Sequence, residues 1–185
     1  MYTETEKQFI INLAKRSIEH YLAKNKLLKI GEGEVPESLK EKHSCFVTLN
    51  LARALRGCIG HLEPVQSLYL DIIENAAGAA FNDHRFAPLS AEEYPLVEIE
   101  VSVLAIPQEL FFTSSQELLD KLRPIVDGVI IKKGKNSATY LPQVWEDLPN
   151  KEYFLNSLCQ KAGLSADEWQ KEGVRVWIYQ VEEIK

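Results

Sequence analysis

Arg56-Gly57-Cys58-Ile59-Gly60 is the one stretch of this chain that concentrates chemistry. Read as an extended strand, it projects Arg56, Cys58 and Gly60 to one face and Leu55, Gly57 and Ile59 to the other. A guanidinium two residues from a thiol on a shared face favours the thiolate, the reactive form of cysteine. The glycines on either side let a ligand or another backbone come close, because no Cβ stands in the way. The same residues also fit a plainer role, a bulged strand whose cysteine packs as a small hydrophobe.

A second group lies further along. Asn82-Asp83-His84-Arg85-Phe86 places a carboxylate, an imidazole and a guanidinium in one loop, and loops on a rigid scaffold commonly carry function. In the plainer reading Asp83 turns the chain and Arg85 pairs with it. Glu98, Glu100 and Ser102 form a polar stripe that is either the wet face of a sheet or a wall facing Arg56 and Cys58 across a cleft. With His61 or His84 as base and Asp83 or Glu100 orienting it, Cys58 would have the partners of a nucleophilic thiol.

Other chemistries find no support. Cys58 and His61 are three apart, and His43, Cys45 and His84 lie elsewhere without zinc-type spacing, so neither a metal nor a cofactor is expected. There is no phosphate-binding glycine loop, no nucleophile elbow and no dinucleotide fingerprint. A formal net charge of -6, with only Lys132, Lys133 and Lys135 clustered, argues against a nucleic-acid surface. No apolar run approaches the roughly 20 residues that span a bilayer, so no membrane role is expected. Met1 to Glu6 lacks the basic start and apolar core of a signal peptide. Cys45, Cys58 and Cys159 are scattered and odd in number, a poor disulfide framework, and a reducing, cytoplasmic setting is the expected home.

The elements that must hold these residues follow from periodicity. Thr3 with Glu6 reads as a capping box opening an amphipathic helix over residues 4–24. Residues 30–42 read as an exposed loop. Residues 45–51 and 55–62 read as two strands joined near Ala52-Arg53, and Pro64 opens a helix through Phe81. Val97 to Leu104 alternates as a half-buried strand. A short helix from Ser114 to Pro124 and a hairpin of 126–132 with 137–144 follow, then a helix over 153–162 stopped by Gly163, a capped helix from Ser165 and a last strand over 174–181. After the first helix the order is β-β-α-β, a linking helix, then β-β-α-α-β, so the two halves echo each other. Returning strands imply a mostly antiparallel sheet and an α+β class. With 45% hydrophobic residues and no linker, the 185 residues read as a single domain whose halves, roughly 1–112 and 113–185, are not independent.

Leu55-Arg56-Gly57-Cys58-Ile59-Gly60, the Asp83-to-Phe86 loop and Val101-Ser102-Val103-Leu104 together resemble the AMMECR family, whose prokaryotic members are called AmmeMemoRadiSam system protein A. Leu141-Pro142-Gln143-Val144 and Lys161-Ala162-Gly163-Leu164 extend the resemblance over nearly the whole chain. It implies two similar halves sharing one barrel-like, mostly antiparallel sheet flanked by helices, with Arg56, Gly57, Cys58 and Gly60 lining a groove between the halves. The family usually has threonine where this chain has His61, and proline where it has His84. No reaction comes with the resemblance. The system name implies partners, a Memo-like protein and a radical-SAM enzyme, in a shared modification pathway. Two functions are therefore expected as alternatives. One is a module binding a small molecule, a peptide or a partner through Gly57, Gly60, His61, His84, Arg85, Phe86 and Ser102. The other is a cysteine-dependent enzyme using Cys58, with Arg56, Glu100 and Asp83 assisting.

Overall fold

In the computed structural model, which describes residues 1–185, the chain divides into two compact units, Met1–Leu104 with Glu182–Lys185 and Ala105–Val181. The first unit opens with helix α1 (Glu4–Lys24), whose capping box is formed as the sequence predicts and whose end is turned by Asn25 in the left-handed region. Ile10, Leu13, Ala14 and Ile18 form its buried face, and the Ser17 hydroxyl donates to the Ile73 carbonyl at 2.7 Å. Residues 30–42 are better tied than a free loop: two short 3-10 turns bury Val35 and Leu39.

Strands β1 (Ser44–Leu51) and β2 (Ala54–Gly60) make a hairpin, and β3 (Val97–Leu104) pairs with β1 on its other side. The hairpin turn is Ala52-Arg53, both at positive φ (51° and 66°), the geometry that suits strand twist but normally calls for glycine or asparagine. Helix α2 runs from Leu68 to Phe81, so Pro64 lies outside it. The entry is held extended by a bridge between Lys42 and Ser67, and the Leu68 N–H is taken by the Glu41 carbonyl. Along β3, Ile99, Val101 and Val103 are buried as expected, but the polar stripe dries out along its length: Glu98 is exposed, Glu100 half-buried and Ser102 buried. A short strand unmarked in the sequence, β8 (Val181–Ile184), completes a sheet of order β2-β1-β3-β8.

The second unit contains β4 (Gln108–Leu110), α3 (Ser115–Lys121), β5 (Gly128–Lys133), β6 (Asn136–Tyr140), α4 (Val144–Asp147), α5 (Lys151–Lys161) and β7 (Arg175–Tyr179). Its sheet has the order β4-β7-β5-β6. The second hairpin strand ends at Tyr140, short of the expected Val144, because Leu141-Pro142 leads into the turn that opens α4. The segment after Ser165 is a 3-10 turn, Ala166–Gln170, in place of a full helix. Trp145 stacks on Phe154 at 3.5 Å between centroids, over a core that includes Leu118, Val129, Ile131, Leu155, Leu158 and Cys159.

The echo between halves is a true match of topology. A hairpin, a helical connection and a returning strand give β2-β1-β3 in one unit and β6-β5-β7 in the other, and each central trio gains a fourth strand beside its third. The single shared, barrel-like sheet is not what the strands form. They make two separate open sheets, each over its own apolar cluster. No helix is long and apolar enough to cross a membrane.

Candidate functional site

Strand β2 is positioned by two close approaches. A Cβ added at Gly57 would lie 2.1 Å from the Ala79 carbonyl oxygen, so only glycine lets β2 rest on α2 at that point. Beside it Ile59 packs over Gly78, and the small residues Ala76, Ala77, Ala79 and Ala80 keep the helix surface low. At Gly60 the Phe46 ring takes the space a side chain would need.

Cys58 lies on the opposite face, half-buried, and the Thr48 hydroxyl donates to its sulfur at 3.3 Å. Thr48 is the register partner of Cys58 in β2 and of Glu100 in β3, so the three side chains form one row across the sheet. Glu100 in turn pairs with Lys185 at 3.0 Å. Glu100, Glu98, Asn50, Lys15 and Lys185 line a groove of about 430 Å³ at the end of that row. Ser102 sits one step along, opposite Phe46, and is buried.

Arg56 does not reach the thiol. The β1–β2 register slips between Leu49 and Asn50, whose partners are Gly57 and Leu55, so Arg56 is the extra residue of a bulge. Of the two readings of this strand, regular alternation fails at that residue and the bulged strand is the one that forms. Its guanidinium instead grips both oxygens of Glu93, each at 3.1 Å, and Glu93 also accepts the Ser90 N–H. Burial pushes the Cys58 thiol above its ordinary range; the Thr48 hydrogen bond and the Arg85 charge oppose this, while Asp83 and Glu100 add to it.

The Asp83 loop closes on the strand from outside. Asp83, only 6% exposed, accepts the Cys58 N–H at 2.9 Å. It also accepts from the Arg85 Nε at 2.9 Å, the Arg85 Nη2 at 2.7 Å and the Arg85 backbone N–H at 3.2 Å. These Arg85 bonds hold its carboxyl well below the usual carboxylate range, against the effect of burial. Arg85 Nη2 donates as well to the Cys58 carbonyl at 3.3 Å. The Phe86 ring lies beneath both guanidiniums, 5.9 Å from Arg56 and 5.4 Å from Arg85. His84 is exposed at the tip of the loop.

His61 belongs to the other side of the sheet. Its Nδ1 is 2.6 Å from Asp71 Oδ1, and Asp71 is 1% exposed. The second Asp71 oxygen accepts the Cys45 N–H at 2.8 Å and the Asn75 amide at 2.9 Å. Neither Asp71 nor Asn75 is among the residues singled out above. A signal existed: two polar residues at i and i+4 inside an otherwise apolar helical stripe need partners when buried. No cluster of three or more His, Cys, Asp or Glu side chains stands close enough to hold a metal ion. Arg56, Cys58, Asp83, Arg85 and Phe86 are thus brought together, Glu100 adjoins them through Thr48, and His61 and His84 stand apart.

Fold and site together define an α+β protein of two topologically matched antiparallel units, with a glycine-bracketed cysteine strand clamped by an Asp-x-Arg loop. A family model described as AMMECR1 matches residues 11–184, and the chain belongs to that family. It is 39% identical to a protein of Thermococcus onnurineus over 95% of this chain and 87% of that one. It is 37% identical to a protein of Thermofilum pendens over 96% of this chain and 88% of that one. The crystal structure of an uncharacterized protein from Pyrococcus horikoshii superposes with a TM-score of 0.88 at 36% identity, covering 98% of this chain and 91% of that one.

Proposed function

We propose that this protein binds a ligand or protein partner through the segment Arg56–Gly60 and the row Cys58, Thr48, Glu100, and that it does so in a modification pathway with Memo-like and radical-SAM proteins. The observation that carries this reading is the commitment of the charged groups around Cys58. Arg56 is held by Glu93 and Arg85 by Asp83, while the thiol, pushed up by burial, stays in its neutral form at neutral pH. A neutral thiol beside a hydroxyl, leading to a groove with Glu98, Glu100 and Lys15, is a surface for recognition.

The test is co-purification of the tagged chain with co-expressed Memo-like and radical-SAM proteins, beside Glu100→Lys, which reverses the charge at the mouth of the groove. Retention of either partner, reduced at least about tenfold by the variant, is the expected result. Recovery no better than with an unrelated bait overturns the reading. The alternative, a cysteine-dependent enzyme using Cys58, has the weaker support because it needs a thiolate. Alkylation by iodoacetamide across pH 5 to 10 separates the two. Cys58 is expected to react only in the alkaline part of that range, above the ordinary value of about 8.5, with Cys45 and Cys159 silent until unfolding. Rapid modification near neutral pH would turn the assignment toward the enzyme.

A further inference from the structure

Strand β2 has one neighbour only, β1, so its other edge is an open row of backbone groups. The His61 N–H donates to the Cys45 carbonyl, so His61 and Ile59 address β1 while Gly60 and Cys58 turn outward. At Cys58 both outward groups are filled by side chains. The Asp83 carboxylate stands where the carbonyl of a neighbouring strand would accept the N–H, at 2.9 Å, and the Arg85 guanidinium stands where its N–H would donate to the carbonyl, at 3.3 Å. One acceptor and one donor on a single residue is the set that one hydrogen-bonded pair of an antiparallel ladder supplies.

We propose that Asp83 and Arg85 act as a plug that imitates a strand, keeping the edge of β2 from pairing with β2 of a second copy of this chain. The second copy is the occupant this edge fits, because an outward N–H and C=O on one residue are self-complementary. Antiparallel pairing about a two-fold axis at Cys58 lets the two Cys58 residues exchange both bonds. Leu55, 43% exposed on the same strand, adds apolar surface to such a contact. The Arg56 bulge guards the strand a second time by breaking its regularity. The Asp83–Arg85 ion pair is held within three residues of chain, so it is already in place when the hairpin forms and needs no partner to close the edge.

The full-length Asp83→Ala/Arg85→Ala variant, which removes both charges and so leaves neither unpaired, tests this. Its mass in solution is expected to shift toward twice that of the wild type. A short bifunctional iodoacetamide, applied at the alkaline pH where the Cys58 thiol reacts, is expected to join its subunits through Cys58, the one cysteine of the three that is not fully buried. A folded variant that keeps the wild-type mass overturns the proposal, as does a dimer that is not cross-linked at Cys58. Should the variant fail to fold, hydrogen exchange of the wild type decides. The Cys58 amide is expected to be as slow as the amides of Gly57 and Ile59, and exchange at the rate of an uncapped edge amide would overturn the plug.

Discussion

At Asp83 a single carboxylate satisfies four donors, one from the strand it closes and three from Arg85. Replacing it with asparagine keeps an acceptor for Cys58 and removes the charge, so Asp83→Asn is expected to cost about 1–2 kcal/mol at neutral pH. Because the folded carboxyl titrates below its unfolded value, its contribution is complete above that value and fades as pH falls toward the folded one. Denaturant midpoints of wild type and variant are therefore expected to differ by a constant amount from pH 8 to 5 and to converge only below about pH 4. Gly57 is a harder case. A methyl group there meets a backbone carbonyl, which cannot swing aside, so β2 and α2 must part. Gly57→Ala is expected to lose about 3 kcal/mol, measured as a lower midpoint at unchanged slope.

At the scale of elements, the turn between β1 and β2 holds two non-glycine residues in the left-handed region, which costs roughly 1–2 kcal/mol each. Ala52→Asn with Arg53→Gly is expected to recover about 1–2 kcal/mol, seen as a raised melting temperature with the same fold. Legibility in the sequence divides along similar lines. Helix α1 announces itself through Thr3, Glu6 and a long apolar period, and β3 through four alternating aliphatic residues. Strands β4 and β8 do not, because Gln108-Glu109-Leu110 and Val181-Glu182-Glu183-Ile184 are too short to show a period and become strands through their neighbours. Of the candidate site, the sequence offers a list of residue types and one contact that the structure contains, the Asp83–Arg85 pair. The site's geometry is legible only in part: the glycines that bracket Cys58 allow a bulged strand, but no local pattern marks Arg56 as the residue where the register slips and the side chain turns toward Glu93. His61 is the same lesson reversed: its partner Asp71 was hidden in a helix read only for its apolar face.

For the whole molecule, the matched topologies mean that each unit solves the same packing problem with different residues. The first uses small residues on α2, and the second uses the Trp145–Phe154 stack. Phe154→Ala opens a cavity in a fully buried site and is expected to cost about 3–5 kcal/mol. If the chain unfolds as one cooperative domain, hydrogen exchange of core amides in β1 and β3 will lose protection by the same amount as those in β5 and β7. Protection lost only within residues 105–181 would show that the units melt separately.

Strand β8 carries a consequence for how the chain comes off the ribosome. Glu182 accepts the Tyr2 N–H at 3.2 Å and lies 3.7 Å from the Lys7 ammonium, and Lys185 holds Glu100. The first sheet therefore waits for residues translated after the entire second unit. Until they arrive, β3 is an unguarded border strand, and the groove beside Glu100 lacks one wall. From the moment β3 leaves the ribosome until residues 182–185 follow it, that bare border faces its surroundings, so the interval of greatest exposure to chaperones, and to misassembly between neighbouring chains on one messenger, is the passage of the second unit.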